Sequence, residues 1–409
     1  MTRRRVLAII QAGGAGGRMQ VLTSNRAKPA LPFAGSYQLL DFPLSNLANS
    51  GISDVWLSVQ YLSATLEEQV ANGRPWDLDR NHGGLRLLMP QEGTGTAEEE
   101  GFARGNADVL YRIREQIKSA DPEVVLVLSS DHVYRFDYNE AIEAHLREGA
   151  ECTIVTTEVA QEQASQHATV EVDSKRAVTG FEYKPESPST STVATEIFVY
   201  DPATLIEVLE DLHAEHSGEA EHGDTGLGDF GETLVPRFVE RKRTYAHPLP
   251  GYWRDLGQPH LYLAAHRDVL TDDLGLFNED GWPIHTRQPQ RVAARVLAGG
   301  LVEDSLLSPG VRVHGTVRRS VLGPGVLVEE GAIVSDSVIY ADVTVGAGAT
   351  VDWSIVDVRS HIGAGAQVGS PDAKGVADSA QVTLVGQDVT VSDKAVVELG
   401  ARLETRSEV

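Results

Sequence analysis

From about Arg291 onward, aliphatic residues return at six-residue steps: Leu301, Leu307 and Val313; Leu322, Val328 and Val334; Ile333, Ile339, Val345 and Val351; Val356, Ile362 and Val368. Gly and small residues fill the gaps, as in SPGVRV, GPGVLV, GAGATV and GAGAQV. A strand of an ordinary sheet alternates with period two. A period of six instead suits a parallel β-helix, in which each coil of three hexads stacks its aliphatic positions into a continuous interior column. A β-sandwich of many short strands is the alternative. The period slips, so corners or loops are expected near Arg318 and Asp352. From about Pro371 the strict pattern lapses, and the packing of residues 371–409 is left open.

The part before it has a different texture. Val6 to Ile10, Val55 to Val59 and Val124 to Leu128 are short β-rich runs, interleaved with amphipathic stretches such as Asp108 to Ile117 and Tyr138 to Arg147. This alternation predicts a doubly wound α/β domain with a mainly parallel sheet. At 409 residues the chain exceeds what one core usually supports. We divide it into an α/β domain at 1–270, a linker at 271–290, the hexapeptide β-helix at 291–370 and a tail at 371–409. Ligands of such sheets sit beyond the carboxyl ends of the strands. The glycine turn after Ile10 and the Ser129-Ser130-Asp131 run after Leu128 should both lie there.

Charge points to the same place. Residues 1–40 hold six basic side chains (Arg3, Arg4, Arg5, Arg18, Arg26, Lys28) and no acid, in a chain of net charge −24. The other 369 residues therefore carry 29 Lys and Arg against 59 Asp and Glu, a net −30. A basic, glycine-rich island in so acidic a protein suits a compact anion. The overall charge argues against general nucleic-acid binding or adsorption to an anionic membrane. Met1 to Arg5 resembles the n-region of a signal peptide, but the apolar run Val6 to Ile10 is too short for an h-region. No apolar run is long enough to span a bilayer. The lone Cys152 has no partner for an internal disulfide and reads as a buried thiol, so a cytoplasmic location is expected.

The glycine turn is not one of the better-known phosphate loops. A dinucleotide fingerprint begun at Gly14 would need glycine where Met19 stands, and the Gly-Lys-Ser/Thr of a Walker A loop is absent. What remains is Gly13-Gly14-Ala15-Gly16-Gly17-Arg18 followed by Arg26-Ala27-Lys28-Pro29. It offers backbone N–H groups and two or three cations to one polyphosphate.

The stretch QAGGAGGRMQVLTSNRAKPALPFAGSYQLLDFPLSNLANSGI resembles the opening of the glucose-1-phosphate adenylyltransferases (ADP-glucose pyrophosphorylases), within the sugar-nucleotide pyrophosphorylase superfamily. Further matches follow in order: Arg104 to Asp108, Ser130 to Tyr134, Phe181 to Pro185, Gly228 to Gly231 and Tyr252 to Gly257. The resemblance covers most of the chain. It implies a nucleotidyltransferase domain joined to a left-handed β-helix, ATP and a sugar 1-phosphate as substrates, ADP-glucose and pyrophosphate as products, a role in glycogen or other α-glucan precursor synthesis, and a homotetramer. By residue, it implies Arg18 and Lys28 as catalytic cations and Asp131 and Asp255 as catalytic acids that hold Mg²⁺. Ala12, Gly13, Gly14, Gly16, Gln60, Gly105 and Asp108 would bind the nucleotide, and Ala168, Tyr183, Lys184 and Ala194 would surround the sugar phosphate. The family is regulated by anionic metabolites bound between its two domains, for which Arg291, Arg295, Arg318 and Arg319 are candidate contacts, or simply solvated arginines.

The departures from the family gather on the sugar side. Tyr183 stands where Glu is usual before Lys-Pro, Ala103 where Tyr precedes Arg-Gly, and Ala168 and Ala194 where Gly and Ser are usual. Gln38 and Gly17 depart as well. A pocket stripped of a carboxylate and a hydroxyl is expected to discriminate sugars poorly. Alternatives are therefore a pyrophosphorylase for another nucleotide sugar, or a regulatory paralog with little turnover. An acyltransferase would place a histidine between coils, where only His314 and His361 are available.

Overall fold

The strand Val6–Ala12 lies at the middle of the N-terminal sheet, and its two faces enter different cores. Leu7 and Ile9 pack with Trp56, Val125 and Val127, while Ala8, Ile10 and Ala12 pack with Val55, Leu57, Leu126 and Leu128. Burial on both faces explains why the run is apolar throughout instead of alternating. The computed structural model describes residues 4–409 except 15, 91–101, 217–224, 272–273, 278–279 and 374–377. Arg3 of the basic island and Ala15 of the glycine turn lie outside the described residues.

Four parallel strands run side by side in the order Gly84–Leu88, Asp54–Val59, Val6–Ala12 and Val124–Ser129. Beyond them Thr192–Tyr200 is antiparallel and pairs in turn with Cys152–Glu158 and Ala168–Val172, with Val178–Tyr183 at the edge. Thr244–Pro248 adds parallel to Cys152–Glu158. The helix expected over Asp108 to Ile117 is two helices, Asn106–Arg112 and Arg114–Ala120, interrupted at Ile113 (φ −98, ψ 7). Tyr138–Glu148 forms as expected: the Asp137 carboxylate accepts from the Asn139 N–H at its start, and Gly149 closes it at φ 58. Among the described residues no helix is long and apolar enough to cross a membrane.

The C-terminal part consists of three parallel sheets of six strands each, consistent with a left-handed parallel β-helix. Thr316 pairs with Ile333, Ile333 with Thr350 and Thr350 with Gln367, a repeat of 17 residues. The missing residue has a location. Val328 to Val334 and Ile339 to Val345 are six-residue steps, but Val334 to Ile339 is five, because one residue, Asp336, turns the corner at φ 49. Asp304, Arg319 and Trp353 take the same left-handed conformation at the equivalent corner of other coils. The corners expected near Arg318 and Asp352 are thus members of a regular series. Leu301 and Ile333 are 43% and 37% exposed and do not belong to the column; Val302 and Val334 occupy those inward positions. Residues beyond 371 continue the sheets through Thr383–Val385, Thr390–Val391, Val396–Val397 and Arg402–Leu403.

The two parts share a core. Val338, Tyr340, Trp353, Ile355, Val382 and Leu384, from the outer face of one β-helix sheet, pack with Met19, Leu22, Leu31 and Phe33, which follow the glycine turn. Arg26 Nη2 meets Asp357 Oδ1 at 2.6 Å, with side chains 10% and 2% exposed, and its guanidinium lies over the Tyr340 ring. Arg402 donates to the Gln20 side chain. Arg26 is therefore held by the β-helix and is not a phosphate-facing cation.

Candidate active site

Two strand ends open into one cavity of about 220 Å³. Val6–Ala12 delivers Gln11 and Ala12 to it and Val124–Ser129 delivers Ser129, Ser130 and Asp131, as the parallel register requires. Ser130 Oγ donates to the Gln11 carbonyl at 2.8 Å, and Gln11 Nε2 donates to the Asn106 carbonyl at 2.7 Å, tying both strands to the following helix. Asp255 arrives from Trp253–Asp255, which pairs antiparallel with His132–Tyr134 so that Asp255 stands opposite His132.

Lys28 links the acids. Its ammonium pairs with Asp131 Oδ2 and lies 3.7 Å from Asp255 Oδ1. Burial pushes the Lys28 pKa down, but the charges of Asp131 and Asp255 outweigh it and hold the amine above its ordinary value. Burial likewise raises the Asp131 carboxyl; the Lys28 and His132 charges and the hydrogen bonds from Lys28 and Ser129 reverse this and keep it well below the usual range. Asp255 Oδ1 is buried with no hydrogen bond among the described residues. Carboxylates of this kind, one with an unsatisfied oxygen, fit a hard divalent cation with oxygen ligands.

Arg18 is exposed at the cavity with no hydrogen-bond or ion-pair partner among the described residues, in contrast to Arg26. Gly14 also lines the cavity, whereas Gly13 and Gly16 do not. Gly16 has φ +67, and a Cβ there would press within 3.2 Å of the Lys28 side chain. Gln60 lies against Gly13 and does not line the cavity. Gly105 (φ +142) packs on the Gly228 carbonyl, where a Cβ would come within 2.2 Å. Asp108 is fully buried and committed internally, accepting from Arg104 N and Arg112 Nε, both at 2.7 Å.

Ala168, Tyr183, Lys184 and Ala194 form the opposite wall with Asp229. Lys184 Nζ donates to Tyr183 Oη at 2.9 Å and lies 4.5 Å from its ring, and Tyr183 Oη reaches Asp229 Oδ2 at 3.4 Å. Several lining residues were given no role by the sequence, His132 and Glu196 among them. His132, next to Asp131 in a quoted motif, could have been suspected; its Nε2 is 3.5 Å from Asp131 Oδ1. Glu196 carries no local signal, because a strand irregularity turns it inward. Burial raises its carboxyl pKa, with His132 opposing and Asp131 and Asp255 reinforcing the shift. The wall that carries Ala168 and Ala194 therefore does contain a carboxyl group. Elsewhere, Arg291, Arg318 and Arg319 pair with Asp342, Glu303 and Asp336. His314 and His361 do not line this cavity.

A basic glycine turn facing carboxylates at parallel strand ends, on a chain that continues into a hexapeptide β-helix, defines an enzyme that transfers a nucleotidyl group. The chain belongs to the nucleotidyl transferase family, whose model matches residues 7–272, and residues 290–392 match the GlmU-like C-terminal hexapeptide model. It is 37% identical over 344 residues to the glucose-1-phosphate adenylyltransferase of Clostridium perfringens, covering 83% of this chain and 85% of that protein. The enzyme of the same name from Bacillus mycoides is 35% identical over 341 residues, covering 82% and 87%.

Proposed function

We propose that the protein condenses ATP with glucose 1-phosphate to give ADP-glucose and pyrophosphate, with Mg²⁺ as cofactor. The observation that carries this reading is the buried Lys28 ammonium beside the Asp131 and Asp255 carboxylates, with Arg18, unpaired among the described residues, at the same cavity. The named activity of the relatives supports it.

In this reaction an oxygen of the sugar phosphate attacks the α-phosphorus of ATP as the bond to the β-phosphate oxygen breaks. The nucleophile is already an anion near neutral pH, so positioning and charge neutralisation supply the catalysis and no strong base is needed. Arg18 and Lys28 neutralise the triphosphate. Ala12 and Gly14 hold its backbone-facing side, in a turn whose shape Gly13 and Gly16 set. Gln60, Gly105 and Asp108 support the nucleotide pocket from behind, Asp108 by fixing the start of Asn106–Arg112. Lys184 and Tyr183 receive the sugar phosphate, flanked by Ala168 and Ala194. Asp131 and Asp255 would hold Mg²⁺, which supplies charge neutralisation on the phosphates when bound.

The test is pyrophosphate release by the purified protein with Mg²⁺, each nucleoside triphosphate and a panel of sugar 1-phosphates. Turnover with ATP and glucose 1-phosphate above all other pairs is expected. Preference for another pair would move the reading to a different nucleotide sugar, and no release with any pair would favour a binding role.

A further inference from the structure

We propose that Glu196 reads a ring hydroxyl of the sugar 1-phosphate and so sets which sugar is accepted; this rests on the nucleotidyl-transfer reading above. The strand Thr192–Tyr200 pairs Ala194 with Thr156 and Phe198 with Ile154, so three residues, Thr195 to Ile197, stand opposite the single residue Val155. Of these Ile197 stays in the core and pairs with Leu128, while Glu196 lines the cavity. Thr195 is anchored beneath it: its Oγ1 donates to the Val155 carbonyl at 2.8 Å, and its own carbonyl lies 3.0 Å from His132 Nδ1. Glu196 then takes φ 57, a conformation that glycine adopts without strain and a side-chain-bearing residue does not. A long acidic side chain at that position is what the fold would avoid unless the side chain were used.

Its surroundings define the use. The ligand atoms of Glu196, Asp131 and His132 lie within 4.8 Å of one another, and no Lys or Arg pairs with Glu196 among the described residues. The Ser129 hydroxyl donates to Asp131 and also favours the charged form of Glu196 as a hydrogen-bond partner. On the adjoining wall Ala168 and Ala194 offer only methyl groups, and Asp229 already faces Asn106 N and Tyr183 Oη. Glu196 is thus a carboxyl group at the cavity with no cationic side chain paired to it among the described residues. A carboxyl group offers acceptor oxygens that suit O–H donors better than phosphate oxygens. A polyol ring presents such donors beside its phosphate, and a site that pairs them discriminates against analogues lacking them.

The experiment compares wild type with Glu196→Gln, Glu196→Asp and Glu196→Gly, using ATP, Mg²⁺, glucose 1-phosphate and its monodeoxy analogues. Binding of each sugar phosphate by calorimetry is measured beside the kinetics. The KM for glucose 1-phosphate should rise about tenfold to a hundredfold in the Gln and Gly variants and less in Asp, with the ATP KM and the Mg²⁺ requirement unchanged. One deoxy analogue should be equally poor for all proteins, identifying the hydroxyl. The Gly variant should keep its thermal midpoint, because it relieves the backbone. Wild-type turnover with no change in sugar KM on substitution would overturn the assignment of Glu196 alone. A shifted Mg²⁺ requirement with an unchanged sugar KM would also overturn it, in favour of a metal ligand. Failure of wild type to bind or use any sugar 1-phosphate would remove the nucleotidyl-transfer reading itself, and this assignment with it.

Discussion

The β-helix and the cavity of the α/β domain place their important residues by opposite means. In the β-helix one short rule is repeated: Val328, Val334, Ile339 and Val345 each follow the last by five or six residues, and every coil delivers the same face to the same column. At the cavity nothing repeats. Lys28, Asp131 and Asp255 meet across gaps of more than a hundred residues: Asp131 follows a parallel strand, Asp255 lies on the antiparallel partner of His132–Tyr134, and Lys28 stands in the turn after the glycine loop. A repeating element tolerates variation at any one coil but depends on its apolar interior, whereas the cavity depends on single charges and little on volume.

The largest test of that contrast is Ile339→Asp. Ile339 is 1% exposed within the column, and a carboxylate there is stranded without a partner. A cost above about 4 kcal/mol is expected, enough to unfold the β-helix, checked by circular dichroism and thermal denaturation. Retained β structure at wild-type stability would show that the column is not what holds the coils together.

The reverse case is Asp131→Asn, which keeps volume and removes charge. Turnover should fall about a thousandfold, with melting displaced far less than by Ile339→Asp. Asp255→Asn should act alike, and the double variant should be little worse than either single one, since both acids serve one function. Pyrophosphate release at wild-type rate from either variant would break the reading of the acids.

The same contrast decides what could be read from the sequence. The six-residue period disclosed the β-helix, but it misassigned Leu301 and Ile333, because a single left-handed corner residue shortens one side of the coil and moves the register. Past Pro371 the signal lapsed because an insertion separates Gln367–Val368 from its neighbour Val396–Val397. Arg18, Lys28, Asp131 and Asp255 could be named by resemblance to a family, whereas no spacing in the chain relates them. Arg26 looked like a phosphate cation from composition alone; its partner Asp357 lies 331 residues away, beyond the reach of any local pattern. Glu196 was invisible because a bulge, which leaves no mark in the residue order, turns it inward.

Arg26 also tests whether the two regions are separate at all. Arg26→Ala leaves Asp357 buried and unpaired, and a loss of about 3 to 5 kcal/mol is expected in denaturant unfolding. Replacing both partners by apolar residues, as in Arg26→Met with Asp357→Leu, should recover most of it. Lys28 is two residues away, so the single variant should also raise the KM for ATP. An unchanged KM in a destabilised protein would confine the pair to joining the domains.

The smallest effect is expected at Tyr183, where packing and chemistry overlap. The ring is wedged over Gly231, where a Cβ would come within 2.2 Å of it, and it carries Lys184 on its face. Burial, together with the nearby Asp229, Glu196 and Glu232 carboxylates, raises the phenol pKa well above its ordinary value, so Tyr183 stays a neutral hydroxyl. Tyr183→Phe keeps the ring, the wedge and the cation–π contact, and removes only the oxygen that Lys184 Nζ meets at 2.9 Å and the long contact to Asp229. The expected result is a rise in the KM for the sugar phosphate of about twofold to tenfold, with the ATP KM and melting temperature unchanged. Tyr183→Ala should do more, because it also leaves the space over Gly231 empty. Equal effects of Phe and Ala would place the role in the hydroxyl and make this wall resemble the rest of the cavity. A silent Phe variant beside a damaged Ala variant would make Tyr183 a packing residue, closer in kind to the column of the β-helix than to the charges it faces.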